Sequence, residues 1–186
     1  PHLVWTCKGG GRGTFTRIED LGDRFGKVTH FGGPATWRLM QVTSLDVDEN
    51  DRVYCAEKRA LYHRIVRLDG NGGPTFEVLE DWPPQPGYNS FVNRLVLAPD
   101  GTFVYNNGKH IGRYDRRTGK PLKFAGTGTT TITSKAENFH SFRGCAVDRE
   151  GNIYTLTHTK RPNTSRGAGW NRVVEVFNPD GTSRDT

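Results

Sequence analysis

Short stretches of alternating apolar and polar residues run through this chain, and turn-forming residues separate them. The segment SFRGCAVDREGNIYTLTH, residues 141–158, holds two such stretches around a charged turn that closes on Gly151. Similar segments begin about 50 and about 100 residues earlier, as RLVLAPDGTFVYNN from Arg94 and SLDVDENDRVYCAE from Ser44. Alternation with period two is typical of half-buried β-strands, so the pattern predicts a β-hairpin that recurs at a fixed spacing.

Each repeat contains further strands after this hairpin. Third strands are predicted at residues 15–20, 64–70, 111–119 and 173–181, and fourth strands at KVTHF, TFEVLEDW and PLKFAG. Sustained helical periodicity is missing from the sequence, so we expect very little helix. Four short strands per repeat predict the blades of a β-propeller, whereas a β-sandwich would not explain the equal spacing. The repeating apolar positions beside the turns are the predicted core: Val47, Val53, Leu97, Phe103, Val147 and Ile153.

We therefore predict an all-β fold, a single partial β-propeller domain over residues 1–186. About four partial four-stranded blades are expected, at residues 1–40, 41–90, 91–140 and 141–186. By this division the first blade lacks its inner strand and the last lacks its outer strand. Unpaired strand edges and uncovered apolar faces are unfavourable, so we expect further chain or a protein partner to complete the propeller.

The segments CAVDREGNIYTLT and NRVVEVFNPDGT carry a more specific pattern. They resemble the NHL-repeat and gluconolactonase-like propellers in their strand, D-x-x-G turn, apolar-Tyr strand and closing V-x-x-F-x-x-D-G strand. The resemblance covers most of residues 43–182 and implies a ring of six or seven blades. It does not choose among functions, because such propellers include enzymes, binding modules and scaffolds.

Composition narrows the classes of partner. The 186 residues carry a net charge of +6, which predicts an anionic partner such as a nucleic acid or an acidic polysaccharide. No apolar stretch is long enough to span a membrane. The three cysteines, Cys7, Cys55 and Cys145, cannot all pair within the chain, and their pairing stays open. Because none belongs to a CxxC or CxxCH motif, a thiolate zinc site and an attached haem are not expected.

Charge is distributed unevenly between the two kinds of loop. In a propeller, the loops before the inner strands and the loops between second and third strands share one face, here called the ligand face. These loops are rich in Lys and Arg, with only Glu57 and Glu137 as acids, whereas the opposite turns are rich in Asp. Turns favour Asp for backbone reasons, which accounts for the acids but not for the gathered bases. The predicted binding residues for an anionic ligand or partner are Lys58, Arg59, Arg94, Arg143, Lys160, Arg161, Arg166 and Trp170.

Histidines also fall on or beside the ligand face. Imidazoles from different blades can converge on a divalent metal, as histidines do in the lyases that this fold resembles. The predicted metal ligands are His63, His110, His140 and His158. Their spacing matches no metal motif, and solvated loop histidines are the alternative. No catalytic residues and no other cofactor are predicted, since Ser90 and Ser141 lack a G-x-S-x-G context.

These observations favour a non-catalytic recognition or scaffold propeller, part of a larger protein or assembly, which binds its partner through the basic loops. The alternative is a metal-dependent propeller enzyme, of lyase or lactonase type, that uses the histidines. A third interpretation is a purely structural domain in an extracellular assembly. We expect an extracellular or periplasmic location. The sequence does not identify the ligand.

Overall fold

The computed structural model describes residues 2–8, 14–31, 41–58, 63–68, 76–82, 94–161 and 169–184. All helical or extended structure within these ranges is β-strand, and neighbouring strands pair antiparallel. The chain divides into two compact units, Pro1–Tyr88 and Asn89–Thr186, here called the N-terminal and C-terminal units. In the ranges described, no helix is long and apolar enough to cross a membrane.

The N-terminal unit contains two sheets whose strands follow one another in chain order. The first sheet is formed by β1 (His2–Lys8), β2 (Thr14–Asp20) and β3 (Phe25–Phe31). The second is formed by β4 (Gln41–Val47), β5 (Val53–Lys58), β6 (His63–Leu68) and β7 (Phe76–Trp82). Three strands in the first sheet and four in the second are the numbers predicted from the repeat.

The C-terminal unit also contains two sheets. In the first, β8 (Arg94–Leu97), β9 (Thr102–Asn106) and β10 (Ile111–Asp115) are joined by two short strands that both pair with β10, namely β11 (Pro121–Leu122) and β12 (Thr131–Ile132). The second sheet is formed by β13 (Phe139–Val147), β14 (Ile153–Lys160) and β15 (Trp170–Phe177). This last sheet again has the predicted number of strands.

Cross-strand pairing confirms the repeat at the level of single residues. In three repeats a residue at or next to the start of the second strand pairs on both sides: Val47–Val53–Leu68, Leu97–Phe103–Tyr114 and Val147–Ile153–Phe177. The pairing of first with second strand shifts register between Val42 and Ser44, and again between Phe142 and Gly144. Such bulges bend a strand locally, so the repeat reproduces strand shape as well as strand position.

Aspartates at the hairpin turns are held by backbone hydrogen bonds. The Oδ1 atom of Asp48 accepts from the N–H of Arg52 at 2.9 Å, and that of Asp148 accepts from the N–H of Asn152 at 2.8 Å. In both turns the Oδ2 atom of the aspartate accepts a hydrogen bond from a tyrosine hydroxyl on the following strand. Tyr54 donates to Asp48 at 3.3 Å, and Tyr154 donates to Asp148 at 3.0 Å. Turn chemistry therefore accounts for these acids.

The predicted core residues separate into two groups. Val53, Phe103 and Ile153, at the start of the second strands, are at most 2 % exposed, which confirms their placement in the core. Val47, Leu97 and Val147, at the ends of the first strands, are only half-buried. In the C-terminal unit the core is a cluster of aliphatic and aromatic side chains from both sheets: Val104, Ile111, Phe124, Ile132, Phe142, Ile153 and Phe177.

Two of the three cysteines are free thiols on strands of the sheets, one buried and one partly buried. Cys55 is fully buried in β5. Cys145 lies in β13 against the core of the C-terminal unit. Burial raises the pKa of its thiol to about 12, although the charge of nearby Arg94 acts in the opposite direction. Since the thiolate is the reactive form, Cys145 is expected to be inert at neutral pH.

Candidate functional site

The candidate site lies where the β9–β10 hairpin meets the first strand of the next sheet in the C-terminal unit. The carbonyl of Gly108 accepts from the N–H of Phe142 at 2.8 Å, and the Nζ atom of Lys109 donates to the carbonyl of His140. The side-chain amide of Asn106 donates to the carbonyl of Gly144 at 3.3 Å. These bonds hold the tip of the hairpin against β13, so segments from two successive repeats meet here.

An Asn-Gly pair suggests a type I′ turn with Asn107 and Gly108 at its centre, but the centre of the observed turn lies one residue later. The N–H of Asn107 donates to the carbonyl of His110 at 3.1 Å, so Gly108 and Lys109 are the two central residues. Positive φ, +92°, falls on Gly108 and not on Asn107, which is the pattern of a type II′ turn. The Oδ1 atom of Asn107 accepts from the N–H groups of Lys109 and His110, at 3.0 and 2.8 Å, and this fixes the shifted turn. The shift places Lys109 at the tip, beside β13.

Three rings form a cluster at the same end of the β13–β14–β15 sheet. The ring centroids of His140 and Trp170 are 4.3 Å apart, and those of His158 and Trp170 are 6.4 Å apart with planes inclined by 25°. Trp170 remains 45 % exposed. The Nζ atom of Lys109 lies 5.4 Å from the ring centroid of Phe139, the residue before His140. The cluster thus combines an exposed indole with two imidazoles and a lysine.

Strand pairing explains how these side chains come together. Lys160 pairs with Trp170, and His158 pairs with Arg172, so all four lie on one face of the sheet. His140 reaches this group because the β13–β14 pairing shifts register between Phe139 and Ser141, which makes His140 the extra residue of a bulge. The β14–β15 connection begins with Arg161, whose N–H donates to the carbonyl of Gly169 at 3.0 Å and whose Nε donates to Asn171 Oδ1 at 2.6 Å.

The site is strongly positive. Burial, followed by the charges of Lys109, Lys160 and Arg143, lowers the pKa of His140 below its ordinary value. Burial, together with Arg143 and Arg172, also lowers the pKa of His158, and burial with Lys109 lowers that of His110. Every charge that acts on these imidazoles in this way is a cation. These shifts disfavour the protonated form of all three histidines, so the fixed charge of the site comes from Lys and Arg.

In the part of the chain that the structure describes, the cations at this end and the cations at the turn end differ in their ion pairs. Within the described residues, Arg52 pairs with Asp48 and Arg113 with Asp100, both at the turn end of their sheets. By contrast, Lys109, Arg143 and Lys160 form no ion pair with any described carboxylate. Two buried atoms at the site, Arg143 Nε and His158 Nδ1, have no hydrogen-bond partner within the described part of the chain. We call Lys109, His140, Arg143, His158, Lys160, Arg161, Trp170 and Arg172 the basic cluster.

Four of the eight predicted binding residues belong to the basic cluster: Arg143, Lys160, Arg161 and Trp170. Arg94 is exposed at the start of β8 in the same unit. Lys58 pairs with His63 at the loop end of β5 and β6 in the N-terminal unit, where only their backbones are described. Arg59 and Arg166 lie outside the described residues. The binding role of all eight stays a prediction.

Only three of the four predicted histidine ligands lie in the C-terminal unit. His140 and His158 both contact the Trp170 ring, and His110 lies in the adjacent hairpin. Among the described residues, no three His, Cys, Asp or Glu side chains are grouped as a metal site would require. A metal site that includes His63 stays a prediction.

Sequence reasoning left Lys109 and Arg172 out of the predicted binding residues. Lys109 is basic and follows Asn107-Gly108, so the sequence indicates that it lies in a loop. Its contact with His140, however, depends on how two sheets pack. Arg172 is brought beside His158 by the β14–β15 register. That register depends on a connection of nine residues, which the local alternation pattern does not specify.

No protein-family model and no curated protein matches the sequence. Solved structures do match the fold. One is a nidogen/laminin complex, with a TM-score of 0.60, 15 % identity, and coverage of 98 % of this chain and 60 % of that chain. Another is a gluconolactonase from Xanthomonas campestris, with a TM-score of 0.59, 19 % identity, and coverage of 97 % and 57 %.

The chain has a β-propeller fold. This confirms the all-β propeller prediction over the β-sandwich. The chain spans about three fifths of the length of these two propellers. At such low identity the likeness concerns the fold alone, so membership of the NHL or gluconolactonase-like family stays a prediction.

Proposed function

We propose that this chain is a non-catalytic recognition propeller that binds an anionic group of a macromolecular partner through the basic cluster. The observation that carries the proposal is the convergence of Lys109, Arg143 and Lys160 around His140, beside the exposed ring of Trp170. These cations come from two successive repeats, and no described carboxylate pairs with them.

Physical chemistry favours an anion at this position. Like charges held together repel one another, and the repulsion is relieved when a negative group binds among them. The Nε atom of Arg143 is buried and has no hydrogen-bond partner among the described residues, and leaving such a donor unsatisfied costs free energy. An incoming sulfate, phosphate or carboxylate group offers the acceptors that the site lacks. Trp170 adds an exposed flat surface of the kind enriched at interface hot spots.

The same charges argue against the alternative of a metal-dependent enzyme in this unit. Lys109, Lys160, Arg143 and Arg172 disfavour positive charge on His140 and His158, and they disfavour a divalent cation there for the same reason. The gluconolactonase supports a shared fold only. One matched structure is a complex of nidogen with laminin, which supports a macromolecular partner and an extracellular location for this chain.

A binding measurement with charge-matched variants tests the proposal. The probe is heparin, and the readout is the dissociation constant at low salt. We expect Arg143→Ala combined with Lys160→Ala to weaken binding at least tenfold, since each phosphate-type or sulfate-type contact to Arg or Lys is worth about 1–3 kcal/mol. The control removes the same net charge from exposed positions near the other end of β10, by Lys120→Ala combined with Lys123→Ala. Absence of binding, or equal weakening by both pairs, would contradict the proposal.

A further inference from the structure

Two residues of β13 stand outside the regular pairing with β14. The pairing skips one residue after Phe139 and one residue after Phe142, so His140 and Arg143 are the extra residues of two bulges. A bulge re-aims the side chain of its extra residue, and bulges are frequent beside functional sites. Both extra residues belong to the basic cluster. The irregular course of β13 therefore brings an imidazole and a guanidinium into one group.

The bulge at Arg143 has a counterpart in the N-terminal unit, where the β4–β5 pairing skips Thr43. The hydroxyl of Thr43 donates to the carbonyl of Ala56 at 3.2 Å, within its own sheet. The Nε atom of Arg143, by contrast, is buried and has no hydrogen-bond partner among the described residues. The same position of the repeat is thus satisfied internally in one sheet and supplies an unused donor in the other.

Arg143 is the central cation of the basic cluster. Burial lowers the pKa of His140 and of His158, and the charge of Arg143 lowers the pKa of both imidazoles further. The two lysines of the cluster act in this way on His140, and Arg172 acts on His158. Arg143 therefore lies within electrostatic range of both rings, with the other cations grouped around one ring or the other.

Hydrogen-bond donors reach this centre from three elements. Lys109 comes from the β9–β10 hairpin, where its Nζ atom donates to the carbonyl of His140 and keeps further hydrogens for a ligand. Arg143 comes from β13, and Lys160 comes from β14. A carboxylate offers two oxygens in one plane, whereas a sulfate or phosphate ester offers three terminal oxygens in three directions. Donors spread over three elements match the ester.

We propose that the basic cluster selects a sulfate or phosphate ester over a carboxylate, and that the Arg143 guanidinium makes this selection. The guanidinium presents a rigid fork of N–H donors to two ester oxygens, and Lys109 and Lys160 neutralise the third. The exposed ring of Trp170 packs against the part of the ligand that carries the ester. This inference rests on the proposed function, since it names the class of anion that the basic cluster binds.

Three hexoses that differ in the group at carbon 6 test the selection: glucose 6-sulfate, glucose 6-phosphate and glucuronate. The readout is the dissociation constant of each hexose for the full chain, from calorimetry and from competition with heparin. We expect both esters to bind at least tenfold more tightly than glucuronate. The ester that binds more tightly identifies the favoured source of the anion, and either order supports the inference.

Arg143→Lys is the decisive variant, because it keeps the positive charge and removes the fork. It should weaken both esters at least fivefold and change the affinity for glucuronate less than twofold. Trp170→Ala is the matched comparison and should weaken all three hexoses to a similar extent, because the indole contacts the part that they share. Lys120→Ala, at an exposed position outside the cluster, should change none of the three.

Failure of this inference is distinguishable from failure of the proposed function. The inference is overturned if heparin binds but the three hexoses bind equally, or if none of them displaces it. It is also overturned if Arg143→Lys weakens glucuronate as much as the esters. If neither heparin nor any of the hexoses binds, the proposed function fails and the inference fails with it.

Discussion

The side chain of Lys109 donates a hydrogen bond to the main-chain carbonyl of His140, and this bond joins two neighbouring sheets of the C-terminal unit. Lys109 sits at the tip of the β9–β10 hairpin, and His140 is the bulge residue of β13. The His140 ring in turn lies 4.3 Å from that of Trp170. The basic cluster is therefore a product of repeat packing, since neither sheet alone supplies both the lysine and the ring pair.

Replacing Lys109 with Met should lower the free energy of unfolding by about 1 kcal/mol, because the His140 carbonyl loses its donor while the apolar stem is retained. Urea denaturation measures the change. Lys123→Met, at an exposed position, is the control and should leave the midpoint unchanged. Equal midpoints for the two variants would show that the hydrogen bond does not contribute.

Truncating Ile153 tests the core of the repeat. Ile153 is 2 % exposed and packs with Phe142 and Phe177, so Ile153→Ala should cost about 2–4 kcal/mol of stability. Val173, which is 43 % exposed, provides the comparison, and Val173→Ala should cost about 0.5 kcal/mol or less. Both values come from chemical denaturation. Similar losses at the two sites would refute the placement of Ile153.

Local patterns predicted the strands well, because alternation and turn residues act over short distances. The second strands beginning near Val53, Phe103 and Ile153 are each where the repeat placed them. An Asn107–Gly108 pair alone would place the hairpin turn on these two residues, but the Asn107 side chain bonds two later N–H groups and moves the turn onto Gly108 and Lys109. The ring cluster was not predictable from alternation, because a bulge at His140 and a distant strand register bring it together.

Gly181 is expected to tolerate substitution poorly. Its φ is +86°, and an added Cβ would lie 2.6 Å from the Cβ of Phe124 in a buried part of the core. Gly181→Ala should therefore cost about 2–4 kcal/mol, from backbone strain and from overpacking together. Gly101 has a similar φ of +78° but open space around its Cα, so Gly101→Ala isolates the backbone contribution at about 1 kcal/mol. Thermal denaturation of both variants should give this order, and the reverse order would contradict it.

The turn at Asp48 should make stability depend on pH in the acid range. Burial raises the pKa of Asp48, but hydrogen bonds from the N–H groups of Arg52 and Asn50 and from the Arg52 guanidinium outweigh burial, so the pKa is lowered overall. A depressed pKa in the folded state stabilises the fold above the unfolded-state pKa of about 3.9, and the stabilisation is lost as pH falls through the folded value.

Asp48→Asn should therefore cost about 1–2 kcal/mol at pH 7 and progressively less below about pH 4. Urea denaturation at a series of pH values provides the measurement. Asp51→Asn, at the exposed neighbouring position, serves as the control. A difference between wild type and Asp48→Asn that stays constant down to pH 2 would refute the hydrogen-bonded carboxylate.

The salt dependence of heparin binding tests anion recognition by the basic cluster most directly. Each cation that contacts the polyanion releases counterions, so the logarithm of the affinity should fall linearly with the logarithm of salt concentration. Arg143→Ala and Lys160→Ala should each reduce the magnitude of that slope by about one, while Lys120→Ala should leave it unchanged. A slope near zero, or a slope that none of these substitutions changes, would contradict recognition of an anion by the basic cluster.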